Sequence, residues 1–139
     1  MFGEGGSDRR QFKLRGEWVE LLFMARAAEH GLRVMRPWGD SSRYDFVVEA
    51  GGRFLRVQVK STNFRKSKFY VCSMVRCGQK CYTSDDIDIF AIYVIPLDIW
   101  YFVPIRAASQ TTKTIALSPH NSLSKHACYK EAWDLLRGK

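Results

Sequence analysis

The chain has 139 residues, of which 46% are hydrophobic, and this length and composition suit one folded domain with a real core and exclude a largely disordered protein. The formal net charge is +8, from 22 Lys and Arg against 14 Asp and Glu, which favours a polyanionic partner, either a nucleic acid or an anionic membrane surface. The N-terminal MFGEGGSDRR lacks the apolar core of a signal peptide, and no apolar run approaches the roughly 20 residues of a spanning helix, so we expect a soluble intracellular protein.

The N-terminal third predicts a tail and one helix. The first ten residues are Gly-rich and polar and predict a flexible tail, so the domain is expected over residues 11–139. From Phe12 to His30 apolar residues recur at helical spacing, and Gly31 is expected to close the helix. The residues expected on the packed face are Trp18, Leu21, Leu22, Ala25 and Ala28.

Most of the remaining chain predicts strands. LRVMRP (32–37) is expected to be a short strand stopped by Pro37, and Gly51-Gly52 is a hairpin signal that joins YDFVVEA (44–50) to the strand after it. Further apolar, β-branched and aromatic runs typical of strands cover 68–75, 89–96 and 100–105. A final helix is expected over 123–137, with Ser122 or Ser124 as its N-cap and Gly138 as its stop. The chain therefore predicts one α/β domain, with a mixed sheet of about four to six strands flanked by α-helices.

Four cysteines leave three interpretations open: disulfide partners, a zinc site or reduced thiols. Three of them fall within ten residues, but their spacing, C-x4-C-x3-C, lacks the paired C-x2-C of structural zinc sites. Reduced thiols are the default in a cytosolic chain of this size. The four positions are Cys72, Cys77, Cys81 and Cys128.

The strand after the Gly-Gly turn alternates between apolar and polar residues, so one face packs and the other is free for chemistry. The two sets are Leu55, Val57 and Val59 against Arg56, Gln58 and Lys60. Asp45 lies at the start of the partner strand, and antiparallel pairing brings it close to Gln58 and Lys60 if the register matches. A carboxylate and an amide oxygen suit a hard divalent ion such as Mg²⁺, and Lys60 would then point at a phosphate or at an attacking water.

Glu20 is a charged residue on the predicted helix whose presence is not explained by the need for a soluble surface alone. Phe23, Met24 and Ala27 follow it at i+3, i+4 and i+7, so its carboxylate is expected beside apolar surface. Such a placement costs free energy unless a cation or a hydrogen-bond donor compensates. Glu17, one turn earlier, adds a second like charge, and a metal ion or basic partner nearby would relieve both.

The order of these residues, Glu on a helix, Asp on a strand and Gln-x-Lys on the next strand, resembles the PD-(D/E)xK nuclease superfamily. The resemblance covers RGEWVELLFMARAAEHGLRVMRPWGDSSRYDFVVEAGGRFLRVQVKST, residues 15–62, and extends through YVIPLDIWYFVP. Within the superfamily, the sequence resembles most a small group of single-domain proteins with a QxK motif, which includes homing-endonuclease-like and Holliday-junction-resolvase-like members. It implies a restriction-endonuclease-like core and a Mg²⁺-dependent DNA endonuclease, with Mn²⁺ as a substitute for the cofactor.

The resemblance also implies roles for the site residues. Asp45 would be the principal metal ligand, and Glu20 a second ligand, direct or through water, with Glu17 as the alternate. Gln58 would be a neutral orienting ligand, and Lys60 would stabilise developing charge or orient the nucleophilic water. The implied partner is DNA, in the cytoplasm at the nucleoid and not at a membrane. A dimer or higher homo-oligomer would suit symmetric cutting of both strands.

Two positions depart from the family's pattern. Tyr44 replaces the Pro that names the motif, and Gln58 replaces an acidic residue. A neutral amide lowers the negative charge of the site, which weakens divalent binding and favours one ion over two. Two alternatives therefore stand beside the active endonuclease: a catalytically inactive DNA-binding relative of the fold, and a junction-specific resolvase.

The charge distribution is uneven along the chain. No acidic residue lies between Glu49 and Asp85, and this window begins on the hairpin. A phosphate-attracting surface is therefore expected next to the metal site, and a solvated basic face is the plainer alternative. The DNA-binding residues that we predict are Arg53, Arg56, Arg65, Lys66, Lys68, Arg76 and Lys80.

Overall fold

A computed structural model describes residues 9–108 and 113–138. In these ranges the chain forms one α-helix, α1 (Arg9–Glu29), so the last two residues of the predicted tail belong to the helix and residues 1–8 lie outside the described part. The strands are β1 (Arg33–Met35), β2 (Phe46–Ala50), β3 (Arg53–Thr62), β4 (Arg65–Lys66), β5 (Phe69–Ser73), β6 (Val75–Arg76), β7 (Lys80–Cys81), β8 (Ile89–Val94), β9 (Ile99–Pro104) and β10 (Thr114–Leu117).

The helix α1 ends as the sequence predicts. Gly31 has φ +72°, a left-handed conformation that glycine adopts without strain. The backbone N–H groups of Gly31 and Leu32 donate to the carbonyls of Ala28 and Ala27, both at 2.9 Å, which satisfies carbonyls that the last helical turn leaves open. Within the described ranges, no helix is long and apolar enough to cross a membrane.

The predicted packed face of α1 is only partly correct: Trp18 and Leu22 pack against the core, whereas Leu21, Ala25 and Ala28 are exposed. The buried residues of the helix are Val19, Phe23 and Ala27. Leu21, expected inside, is 59% exposed, and Ala25 is exposed with it. Apolar residues occur on more than one side of this helix, so helical spacing alone could not decide which stripe meets the sheet.

The main sheet has five strands in the order β1-β2-β3-β8-β9, and this confirms the predicted mixed sheet. β3 and β8 run parallel, whereas the other neighbours in the sheet pair antiparallel. The hairpin between β2 and β3 is also confirmed: Gly51 and Gly52 have φ +59° and +79°, the positive values that a two-residue hairpin turn requires.

Both faces of the main sheet are covered. On one face, Phe23 of α1 packs against Phe46 and Trp100, with ring centroids 5.3 and 5.7 Å apart. On the other face, a smaller sheet in the order β10-β5-β4 packs residues such as Cys72 and Leu117 against Phe90 and other residues of β8 and β9. The sequence did not predict β4, which is two basic residues long, or β10, which is only four residues long. The result is three layers, with the main sheet in the middle.

The predicted C-terminal α-helix is wrong. The segment forms two short 3₁₀ turns instead, Ala127–Tyr129 and Trp133–Arg137. Between them Lys130 pairs with Tyr101 of β9, and Glu131 has φ +51°, which no α-helix can contain. The N–H of Glu131 donates to the carbonyl of Trp100 at 2.7 Å, and the Glu131 carboxylate accepts from the N–H of Trp100 at 2.9 Å.

The helix is broken because β9 is an edge strand with backbone groups that need partners, and the C-terminal segment supplies them. These hydrogen bonds replace those that a continuous helix would have made. The predicted stop at Gly138 is correct, since this residue has φ +76° after the second turn.

Candidate active site

A cleft of about 170 Å³ lies where α1, β2 and the loop between β1 and β2 meet. Glu20 reaches it from the helix, and Asp45 reaches it from the residue before β2. The loop closes the cleft from the outside with residues that include Arg36, Pro37 and Gly39. The site is therefore built where one helix and one strand are brought together by packing, with a polar rim.

Asp45 is held in place by the partner strand. The pairing of Phe46 with Val57 puts Asp45 next to Gln58, the register that the prediction needs. The N–H of Asp45 donates to the carbonyl of Val57, and its carboxylate accepts from the N–H of Val59, both at 2.9 Å. Burial raises the pKa of Asp45, while the Val59 N–H bond, and to a lesser degree Lys60 and Arg36, oppose the rise.

Glu20 is the helix carboxylate that enters the cleft. Its side chain is 21% exposed, and burial, helped by the negative charge of Asp45, raises its pKa to about 6. Arg36, with its guanidinium 3.7 Å from the Glu20 carboxylate, partly offsets this. Glu17 is exposed and contributes the smallest of the four effects, so the structure brings Glu20, and not Glu17, to Asp45.

Lys60 lies on β3, and its ammonium is held by groups in and next to the β6–β7 hairpin. The Nζ atom donates to the carbonyl of Val75 at 2.8 Å and lies over the ring of Tyr82, 5.3 Å from its centroid. Burial lowers the pKa of Lys60, and the negative charge of Asp45 counters that change. The cation is thus half-desolvated, which strengthens its field toward the cleft.

Gln58 occupies the half-buried position between Asp45 and Lys60. Its amide nitrogen donates a long hydrogen bond of 3.4 Å to the carbonyl of Val59. The amide oxygen is the atom of this side chain that can ligate a cation, and it brings no charge.

The model of the PD-(D/E)XK endonuclease family matches residues 10–136. The chain belongs to this family. A solved bacterial homing endonuclease, I-Ssp6803I, is similar, with a TM-score of 0.76 and 29% identity over 91% of both chains. Hjc, a Holliday junction resolvase from the archaeal hyperthermophile Archaeoglobus fulgidus, has a TM-score of 0.49 and 19% identity, over 75% of this chain and 84% of that one. No curated protein matches the sequence.

Three further groups contact the site residues of this PD-(D/E)XK endonuclease and are not predicted from the sequence: Arg36, Tyr82 and the Val75 carbonyl. Arg36 faces Glu20 and also stacks over Phe46, 5.9 Å from the ring centroid. Arg36 directly follows the short strand β1, in the segment that leads to Asp45, and this position could have suggested a role near the site. Tyr82 and Val75 carry no local signal, because only the β6–β7 hairpin brings them to Lys60.

The donor set fits a divalent cation of the hard, oxygen-preferring kind. Three acidic residues line the cleft, Glu20, Asp40 and Asp45, but across residues 9–108 and 113–138 nowhere do three His, Cys, Asp or Glu side chains gather closely enough to hold a metal ion. The oxygen donors that fit a cation are therefore Glu20 and Asp45, which interact with one another, and the amide oxygen of Gln58, which lies opposite Asp45. The charge of Asp45 raises the pKa of Glu20, which means that the two carboxylates repel one another. A cation between them would relieve that repulsion.

The cysteines do not join this site. Among the described residues, no disulfide joins Cys72, Cys77, Cys81 or Cys128. Burial raises the pKa of Cys72 to about 12, so this thiol stays protonated and behaves as a small core side chain.

The predicted DNA-binding arginines are engaged with the protein itself. Arg56 makes two side-chain bonds to Asp88, at 3.0 and 3.1 Å, and donates further to the Ser84 and Asp85 carbonyls. Arg53 donates to the carbonyl of Gly138 at 3.3 Å, and Arg65 donates to the carbonyl of Ser67 at 3.0 Å. The guanidinium of Arg76 lies 3.8 Å from the carboxylate of Asp86.

The predicted DNA-binding lysines are placed differently. Lys66, Lys68 and Lys80 are exposed, and none of their side chains makes a hydrogen bond or ion pair to a described residue. The four arginines of the acid-free window therefore each have a side-chain partner within the protein, although Arg53 and Arg65 are exposed, whereas the three lysines face solvent.

Proposed function

We propose that this endonuclease hydrolyses DNA phosphodiester bonds, with Mg²⁺ as its cofactor and Mn²⁺ as a substitute. The observation that carries the proposal is that two desolvated carboxylates, Glu20 and Asp45, meet in one cleft, with the positive charge of Lys60 close enough to oppose the rise in the pKa of Asp45. Like charges are brought together in a protein interior at a cost in stability, and such clusters mark functional sites. Membership of the PD-(D/E)XK endonuclease family supports the same reaction.

Each residue would have a distinct role. Asp45, locked by the Val59 N–H, would be the principal metal ligand, Glu20 the second ligand and Gln58 a neutral orienting ligand. The bound ion would neutralise charge on the phosphate and lower the pKa of a bound water. Lys60 would stabilise the negative charge that develops on the phosphate, or orient the attacking water.

The position of Lys60 favours that role because its ammonium is already partly ordered. One N–H is taken by the Val75 carbonyl at 2.8 Å, and the Tyr82 ring holds the charge from one side. A positioned cation needs little reorganisation when the phosphate charge grows. We also propose that DNA approaches over the exposed lysines, and that a dimer or higher homo-oligomer cuts the two strands.

The first test is cleavage of supercoiled, linear, single-stranded and four-way-junction DNA with Mg²⁺ or Mn²⁺. Asp45→Ala should abolish cleavage, and Lys60→Ala should lower it by about 100-fold or more. Glu20→Gln should abolish it as well, whereas Glu17→Gln, a carboxylate one turn away on the same helix, should leave it unchanged. Intact DNA in every wild-type reaction would contradict the proposed activity, and cleavage of the junction alone would favour the resolvase alternative.

Metal binding can be tested without DNA. Mg²⁺ should raise the melting temperature of the wild type and of Glu17→Gln by mass action, and this shift should disappear in Asp45→Ala. An equal shift in all three proteins would place the ion elsewhere.

Gln58 separates the active enzyme from the inactive DNA-binding relative. If the neutral amide is a working ligand, Gln58→Ala should reduce cleavage. If Gln58 marks lost activity, the wild type should bind DNA without cutting it, and Gln58→Glu should restore metal binding by adding the missing charge.

A further inference from the structure

Trp38 is a large apolar side chain that the fold leaves fully in solvent. Its relative exposure is 101%, whereas Trp100 and Trp133 are 1% and 4% exposed. Trp18, the fourth tryptophan, is partly buried against Tyr93, with ring centroids 5.9 Å apart. Trp38 therefore contributes nothing to the hydrophobic core of this protein.

The loop between β1 and β2 places Trp38 at the rim of the candidate active site. Its two chain neighbours, Pro37 and Gly39, both line the cleft that holds Glu20 and Asp45. Gly39 has φ +87°, a left-handed conformation that glycine adopts without strain.

The surroundings of Trp38 favour a nucleic-acid partner. Arg36, two residues before Trp38 on the same loop, lines the cleft with a side chain that is 61% exposed, so the loop that carries Trp38 also carries positive charge at the cleft. A backbone phosphate held in the cleft would carry its sugar and base past the rim. Aromatic side chains next to positive charge are a recurrent way of gripping such a strand, because every base offers a flat face for stacking.

We propose that Trp38 binds DNA by stacking on a nucleotide next to the phosphate held in the cleft. This inference rests on the proposed function, since it assigns that phosphate to DNA. The stacked ring would fix the strand against the metal site and would help to set which phosphate is cut.

The test compares Trp38→Ala with Trp38→Phe, in Ca²⁺ and low salt, on a short mixed-sequence DNA duplex and on the matching single strand. Trp38→Ala should bind about 5- to 100-fold more weakly, and Trp38→Phe, which keeps an aromatic face, should stay within about 3-fold of the wild type. The matched control is Phe54→Ala, another exposed aromatic (60%) that lies four residues along β3 from Gln58, roughly 13 Å away. This control should bind as the wild type does.

Intrinsic fluorescence gives a second readout, since Trp38 is the fully exposed tryptophan of the described residues. DNA should protect the red-edge emission of the wild type from acrylamide, and that emission should be missing in Trp38→Phe. Unchanged affinity in Trp38→Ala, or a Trp38 that stays quenchable in the complex, would overturn the inference while leaving the endonuclease proposal intact. A wild type that neither binds nor cuts DNA would overturn the proposed function and this inference with it.

Discussion

At the scale of single residues, Glu20 shows that an ionised carboxylate in the cleft lowers the stability of the fold when no cation is bound. Burial and the charge of Asp45 raise its pKa to about 6, from an ordinary value of 4.5. Between these two pH values the folded protein binds more protons than the unfolded chain, so stability falls as pH rises through this window. Above pH 6 the ionised carboxylate remains in the cleft at a cost.

Glu20→Gln should therefore stabilise the metal-free protein above pH 6. We expect about 1 kcal/mol, after allowing for solvent screening of a carboxylate that is only partly buried. At pH 4 the gain should vanish, because the wild-type carboxyl is then protonated. Urea unfolding in EDTA at the two pH values measures both quantities.

Glu17→Gln is the control for this prediction, because Glu17 is exposed on the same helix. It should unfold like the wild type at both pH values. A Glu20→Gln variant that is less stable than the wild type at pH 8 would mean that the ion pair with Arg36 outweighs the burial of the charge.

Sequence and structure agree closely on the residues of the hairpin. Alternation along β3 put Gln58 and Lys60 on one face, and the Gly-Gly turn set the register that brings Asp45 to them. Arg36, Tyr82 and the Val75 carbonyl could not be found in this way, because they reach the site from loops and from a separate hairpin.

At the scale of elements, the packed face of α1 gives a direct test of the core. Phe23 is fully buried and contacts rings from β2 and β9, so Phe23→Ala should cost about 3–5 kcal/mol of unfolding free energy. Leu21→Ala, on the face that the sequence favoured, should change it by less than about 0.5 kcal/mol because Leu21 is 59% exposed. Urea denaturation at pH 7 measures both free energies. A larger loss of unfolding free energy in Leu21→Ala would mean that another surface covers that face of α1 in solution.

The C-terminal segment depends on Glu131. Its two carboxylate oxygens accept from the Trp100 backbone N–H at 2.9 Å and from the Trp133 indole N–H at 2.7 Å, and both tryptophans are buried. Glu131→Ala would leave both donors unpaired, so we expect a loss of about 2–4 kcal/mol.

Glu131→Gln keeps one acceptor oxygen and should lose about half as much. Thermal or urea unfolding gives the energies, and hydrogen exchange at the Trp100 amide should accelerate in the same order. Exchange that stays as slow in Glu131→Ala as in the wild type would show that the β9 edge is protected by other contacts.

At the scale of the whole molecule, the net charge is +8, but not every basic side chain is equally available to a partner. Arginines of the acid-free window hold loops and carboxylates, whereas Lys66, Lys68 and Lys80 are exposed. Electrostatic attraction of DNA would therefore depend more on these lysines than on the arginines.

Replacing both Lys66 and Lys68 with Gln should weaken DNA binding at every sequence and reduce the slope of log affinity against log salt by about 1–2. Lys125→Gln, an exposed lysine outside the acid-free window, is the matched control and should leave the slope unchanged. Anisotropy titrations over a range of salt concentrations measure it. Equal slopes in all three proteins would place the phosphate contacts elsewhere.

The sequence by itself determined the fold class, the helix that ends at Gly31, the Gly-Gly hairpin and the residues that line β3. These features depend on local chemistry: glycine at positive φ, the periods of helix and strand, and the pairing that a short turn imposes. A chain segment reports such preferences without reference to the rest of the molecule.

Only the tertiary structure decided which stripe of α1 is buried, that the C-terminal segment pairs with β9 instead of forming a helix, and which basic residues stay free. It also decided that Tyr82 and the Val75 carbonyl hold Lys60. Each of these outcomes is a contact between parts of the chain that are distant in sequence. Burial and hydrogen bonding across such contacts outweigh local propensities, which differ by less than about 1 kcal/mol per residue.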